Sequence, residues 1–202
     1  MASFDKAIIN TFKAEGGFQQ DASDNANYVD GVLIGTNRGI SAQGYHAFYK
    51  KVPTVNDIKN LTVEQAKQIF KGNYWDKVCG DFIVNQSVAE LMFQFVIGSG
   101  SSQISDIKDI ANKVGGKVVL TLNDLPITKL DAAFINGLNQ ELFYARMKEW
   151  RFELYNRIVA KSISDWEKQK GRKITDTEAL KETKKKFLKG WQNRLNTHKY
   201  IA

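Results

Sequence analysis

The chain has 202 residues, 43% hydrophobic and 25% charged, with a formal net charge of +7 from 29 Lys and Arg against 22 Asp and Glu. That length fits one large domain or two lobes on a common core, and the composition excludes wholesale disorder. Cys79 is the only cysteine, so an intramolecular disulfide is excluded, and the longest apolar runs, 91–93 and 95–97, are far too short to cross a bilayer.

The opening residues, Met1-Ala2-Ser3-Phe4-Asp5-Lys6, lack the basic and apolar stretches of a secretory signal. The expectation is either a signal removed ahead of this sequence or another route out of the cytoplasm. Ser3 can cap a first helix that puts Phe4, Ile8, Ile9 and Phe12 on one face and stops at Glu15, before Gly16-Gly17. A polar stretch, 19–27, follows. Tyr28-Val29-Asp30-Gly31-Val32-Leu33-Ile34 then reads as a tight hairpin, because Asp-Gly suits the two positive-φ positions of a type I′ turn. This is the one β signal expected.

From Ser41 onward the pattern is helical. Thr62 and Gln65 form a capping box ahead of Ala66, Ile69 and Phe70. Residues 88–97 are apolar nearly all round and predict a buried central helix. A helix over 104–114 closes at Gly115-Gly116, Thr128 starts another, and Asn139 starts a long one through Phe143, Met147, Trp150, Leu154 and Ile158. After a turn around Gly171, one last helix is expected over 176–195, with Leu180, Phe187, Leu188 and Trp191 inward. The fold class is therefore α+β, predominantly α-helical, with one small hairpin near the N-terminus.

Three acidic residues fall at the helix–hairpin junction. Glu15 sits at a helix C-terminus, whose negative dipole end disfavours a charged carboxylate, and Phe12 and Phe18 can strip water from it. Both effects raise a carboxyl pKa, as a general acid requires. Asp21 and Asp24 follow, and residue types alone leave open which faces Glu15 and which only shapes the turn. Hydrolysis of a glycosidic bond uses such a carboxyl pair. Tyr28, Tyr45, Tyr74 and Trp75 could stack on sugar rings, whereas Trp150, Trp166 and Trp191 lie on helical stripes and read as structural. Cys79 reads as an apolar filler. His46 and His198 have no metal-spaced partner, and no glycine-rich phosphate loop occurs. No metal or organic cofactor is expected.

Taken in order, Glu15-Gly16-Gly17-Phe18, then Asp21 and Asp24, then Thr36-Asn37-Arg38-Gly39-Ile40-Ser41, resemble glycoside hydrolase family 108, formerly called secretion activators. Tyr74-Trp75 continues the likeness. The segment 187–194, Phe-Leu-Lys-Gly-Trp-Gln-Asn-Arg, is similar to the closing motif of that family's peptidoglycan-binding region. The resemblance implies a lysozyme-like fold and N-acetylmuramidase activity with Glu15 as the acid. The spacing also resembles the Glu-Asp-Thr set of phage lysozymes, which implies that Asp24 and Thr36 hold or activate the attacking water. Asp21, Asn37, Arg38, Tyr74 and Trp75 are then candidates for binding or positioning substrate. Two departures stand out. Asp24-Asn25-Ala26-Asn27 replaces the family's short Asp-Pro-Gly-Gly link, and Gln94 and Gly98 occupy places often held by Asp and Asn.

The expected organisation is a catalytic lobe over 1–100 and a helical lobe over 101–202, packed as one body. The expected partners are peptidoglycan glycan strands, with anionic wall polymers drawn to Lys181, Lys184, Lys185, Lys186 and Lys189 on the last helix. Nucleic acid, a membrane span and oligomerisation are not expected. The place of action is the cell wall, as for a prophage endolysin. The rival readings are a lytic transglycosylase, which needs only the acid, and a non-catalytic wall-binding or secretion-accessory protein.

Overall fold

The computed structural model describes residues 1–14, 16–99 and 102–202. Helix α1, Phe4–Ala14, leads through an irregular loop to a single 3-10 turn, Asn25–Asn27. Two small antiparallel hairpins follow: β1, Tyr28–Val29, pairs with β2, Val32–Leu33, and β3, Thr36–Asn37, pairs with β4, Ile40–Ser41. The chain then runs through α2 (Ala42–Tyr49), α3 (Val55–Lys59) and α4 (Val63–Phe70) into a wide turn, Lys71–Trp75, and two short 3-10 turns. Helices α5 (Gln86–Ser99), α6 (Ser102–Gly115), α7 (Lys129–Asn136), α8 (Gln140–Lys170), α9 (Asp176–Glu182) and α10 (Lys185–Thr197) complete a predominantly helical α+β fold.

The helix boundaries follow local chemistry. Thr54, Thr62, Thr128 and Thr175 each close a capping box with the residue three positions on, satisfying amides that a helix start leaves without partners. Asn139 caps α8 through its side chain, and Gly171 ends it in the left-handed conformation.

The apolar helix α5 lies at the centre. Val88, Ala89, Leu91, Met92, Phe93, Phe95 and Val96 are all buried. Phe93 meets Phe4 of α1, Phe70 of α4 and Trp75 edge-on, a geometry that aromatic quadrupoles favour. On the other side, buried Arg151 of α8 donates to the carbonyls of Phe95 and Gln94 and to the Gln103 side chain. Gln94 donates to the Thr11 hydroxyl, tying α5 to α1.

Three expectations are corrected. A second hairpin exists at Thr36–Ser41, turning on Arg38 and Gly39, both at positive φ. The last helix is two helices: Thr183, buried and extended, turns its hydroxyl onto the Ala179 carbonyl, while the Lys184 and Lys185 amides go to the hydroxyls of Ser162 and Thr183. A side chain that competes for backbone partners in this way interrupts a helix. In consequence Leu180 and Phe187 face solvent, whereas Ala179, Thr183 and Leu195 face inward.

Candidate active site

The loop after α1 is held to the second hairpin by backbone pairing. Gln19 and Thr36 exchange both amide-to-carbonyl bonds at 2.9 Å, and the approach is close enough that Gly35 has no room for a side chain. Here φ is +118°, and an added Cβ would lie 2.6 Å from the Gln19 carbonyl oxygen. Glycine alone tolerates both constraints.

Asn27, fully buried, is the hub of this junction. Its side-chain amide donates to the Asp21 carbonyl at 2.9 Å and to the Gln19 side chain at 3.3 Å, and its side-chain oxygen accepts the Thr36 hydroxyl at 2.6 Å. The Asn27 carbonyl takes the amides of Ile34 and Gly35, and its own amide donates to the Asp24 carbonyl.

The two aspartates are placed differently. Asp21 accepts both the hydroxyl and the amide of Ser23, and these bonds hold its carboxyl below the usual carboxylate range, with Lys186 of α10 adding a smaller electrostatic pull. Asp24 caps the 3-10 turn by accepting the Ala26 amide at 3.0 Å, in an extended conformation. Asp24 borders an open groove of about 470 Å³ that is also lined by Thr36, Ser41, Gln43, Asn73, Tyr74, Lys77 and Ile97. Asp21 is not among the residues lining this groove.

The other candidates divide in the same way. Asn37 is buried, and its amide nitrogen donates to the carbonyls of Ile58 and Lys59 at the end of α3. Arg38 is exposed, and its Nε donates to the Leu61 carbonyl. Both therefore anchor the hairpin to its neighbours, and neither lines the groove. Trp75, expected to meet sugar, has no exposed surface. Its indole N–H donates to Asp81, its ring packs on Phe4 and Phe93, and Gly80 lies against its face. Its bulk is core and that expectation is corrected. Tyr74 is half-buried and does line the groove. Tyr45 is buried beside Tyr49, and the Tyr28 hydroxyl donates to the Ala22 carbonyl, so neither lines it. Glu15 lies outside the described residues.

Gln43, Asn73 and Lys77 escaped the sequence reading. Gln43 donates to the Asn25 carbonyl and Asn73 to the Gly44 carbonyl. The position of Asn73 directly before Tyr74-Trp75 was the one available signal. Cys79 is half-buried, and burial pushes its thiol up, away from nucleophile character.

Residues 8–100 match the family glycosyl hydrolase 108. The chain is also similar to the solved structure of SagA from Brucella abortus, with 23% sequence identity over 96% of this chain and 90% of that one, and a TM-score of 0.63. At that identity the likeness is one of fold. A search of curated proteins gave no match.

Proposed function

We propose, from the match of residues 8–100 to the family glycosyl hydrolase 108, that the protein is an N-acetylmuramidase cutting the β-1,4 bond after N-acetylmuramic acid in peptidoglycan. The observation that carries the reading is that Asp24 and Thr36 border one groove while Asp21 is engaged with Ser23. In this reading Glu15 gives its proton to the leaving O4 as the C1–O4 bond breaks. A water held by Thr36 and Asp24 attacks C1 from the opposite face, and its proton passes to the Asp24 carboxylate. The anomeric centre inverts, which calls for two carboxyl groups roughly 6.5–9.5 Å apart, leaving room for the water. Tyr74 offers a ring to a sugar, and Gln43, Asn73 and Lys77 offer polar groups to its hydroxyls and acidic substituents.

The helical half over 101–202 serves as a wall-contacting region in the same proposal. Lys184 and Lys186 lie over the ring of exposed Phe187, which stacks on Trp191, so one face of α10 combines positive charge with aromatic surface. Such a face suits anionic wall polymers, and the +7 charge draws the protein towards them. The place of action is the cell wall. No helix among the described residues is long and apolar enough to cross a membrane.

Digestion of purified peptidoglycan, read by mass spectrometry, tests the reading with Glu15→Gln, Asp24→Asn and Asp21→Asn. The expected result is new reducing ends with wild type and loss of turnover with Glu15→Gln at an unchanged circular dichroism spectrum. Asp24→Asn loses turnover by orders of magnitude, and Asp21→Asn lowers the melting temperature while retaining turnover. Anhydro ends alone from wild type would instead indicate a lytic transglycosylase. Wall binding without any cleavage would indicate an accessory protein.

A further inference from the structure

The Asn27 side chain can be oriented in only one way. Its two terminal atoms cannot be distinguished by shape, but one of them lies 2.9 Å from the backbone carbonyl oxygen of Asp21, which can only accept. That atom is therefore the nitrogen, and the atom facing Thr36 is the oxygen. An amide oxygen has no proton to give, so across the 2.6 Å contact the Thr36 hydroxyl must be the donor. Threonine has one hydroxyl proton, and Asn27 takes it.

From this chain of donors we infer that Asn27 is a positioning residue for the nucleophilic water, an inference that rests on the hydrolytic reading above. With its proton committed to Asn27, Thr36 presents only lone pairs to the groove. The Asp24 carboxylate likewise only accepts. A water bound between them gives one proton to each, which leaves its own lone pair free to point at the sugar carbon. Were Thr36 free to rotate, its hydroxyl could donate to the water and occupy that lone pair.

Asn27 also fixes where the two acceptors stand. Its amide donates to the Asp24 carbonyl, its carbonyl holds Ile34 and Gly35 beside Thr36, and its side chain ties down Asp21 and Gln19. The Asn27 side chain itself has no solvent exposure, and an unpaired polar group there is costly. The site thus combines one buried amide with a water-facing hydroxyl whose direction is set from behind.

The test compares wild type, Asn27→Leu and Asn27→Asp on purified glycan strands, reading kcat, KM and the ratio of reducing to 1,6-anhydro ends. Anhydro ends arise when the muramyl C6 hydroxyl attacks C1, forming the C1–O6 bond as C1–O4 breaks and returning its proton to the carboxylate of Glu15. That route needs no bound water. Asn27→Leu is expected to lower hydrolytic kcat on the order of 10²-fold, the cost of about 1 Å of misplacement, and to raise the anhydro fraction. KM should stay within about twofold, because ground-state binding is untouched.

In Asn27→Asp the introduced carboxyl, when protonated, both donates to the Asp21 carbonyl and accepts from Thr36. Hydrolysis should therefore return towards wild type at acid pH and fall as that carboxyl ionises. A folded Asn27→Leu variant with wild-type kcat and product ratio overturns the inference. If Asn27→Leu does not fold, an Asn27→Asp variant with the pH profile and product ratio of wild type overturns it equally. A wild type that never hydrolyses glycan removes the parent reading, and this inference with it.

Discussion

The two hairpins have nearly the same backbone and different causes. The first turns on Asp30 at φ +51° and Gly31 at +78°, the second on Arg38 at +51° and Gly39 at +74°. Aspartate and glycine take the left-handed conformation readily, so the first turn forms from its own residues. Its tip faces solvent, with Val32 59% exposed. Arginine at positive φ costs about 1–2 kcal/mol, as for any ordinary L-residue. The second turn accepts this cost because its neighbours reward the shape. Asn37 reaches the end of α3, Arg38 reaches the Leu61 carbonyl, Ile40 is buried, and Thr36 pairs with Gln19. A hairpin that proposes itself sits at the periphery, and one imposed from outside carries the groove threonine.

Three substitutions can sharpen or break that contrast. The largest effect is expected from Gly35→Ala, which combines φ +118° with a carbonyl 2.6 Å from the new methyl. Urea unfolding should show a loss of about 3 kcal/mol, the upper range for a residue forced into a sparsely populated conformation. A variant as stable as wild type would mean that the loop and second hairpin are not tightly joined. Asn37→Ala comes next. It strips the Ile58 and Lys59 carbonyls at the end of α3 of a shared donor, which should cost about 2 kcal/mol, the net worth of two hydrogen bonds. Amide hydrogen exchange should locate the loss at the second hairpin and α3, and protection unchanged there would contradict the anchoring role. The smallest effect belongs to Gly31→Ala. Its Cβ would meet nothing within 4 Å, so only the left-handed conformation opposes it, at about 1 kcal/mol. Losses from Gly31→Ala and Gly35→Ala of equal size would erase the distinction between the two hairpins.

Much of the fold was legible because its signals act within four residues. Thr62 with Gln65, Thr128 capping α7, Asn139 opening α8 and Gly171 closing it all work through side chains or backbone conformations of the element itself. The all-round apolar stretch of α5 announced a buried helix, and Asp30-Gly31 announced its turn. The ordered acidic and Thr-Asn-Arg-Gly-Ile motifs pointed to the family that residues 8–100 match.

What tertiary structure alone decided has the opposite physical character. Trp75 is core because Phe4, Phe93, Asp81 and Gly80 converge on it, and its ring gives no hint of that in a sequence. The break at Thr183 depends on Ser162, 21 positions earlier on α8, accepting the next amide. The second hairpin depends on carbonyls of α3, 21 and 22 residues away from Asn37. Asn27 closes a polar stretch of sequence, and nothing in its neighbours says that its oxygen meets a threonine hydroxyl nine residues on. Sequence by itself determined where the capped helices α4, α7 and α8 begin and that α5 is buried, because capping and periodicity are local. Which polar side chains became anchors, which became groove walls and which aromatic became core was decided only when distant segments supplied their hydrogen-bond partners and packing surfaces.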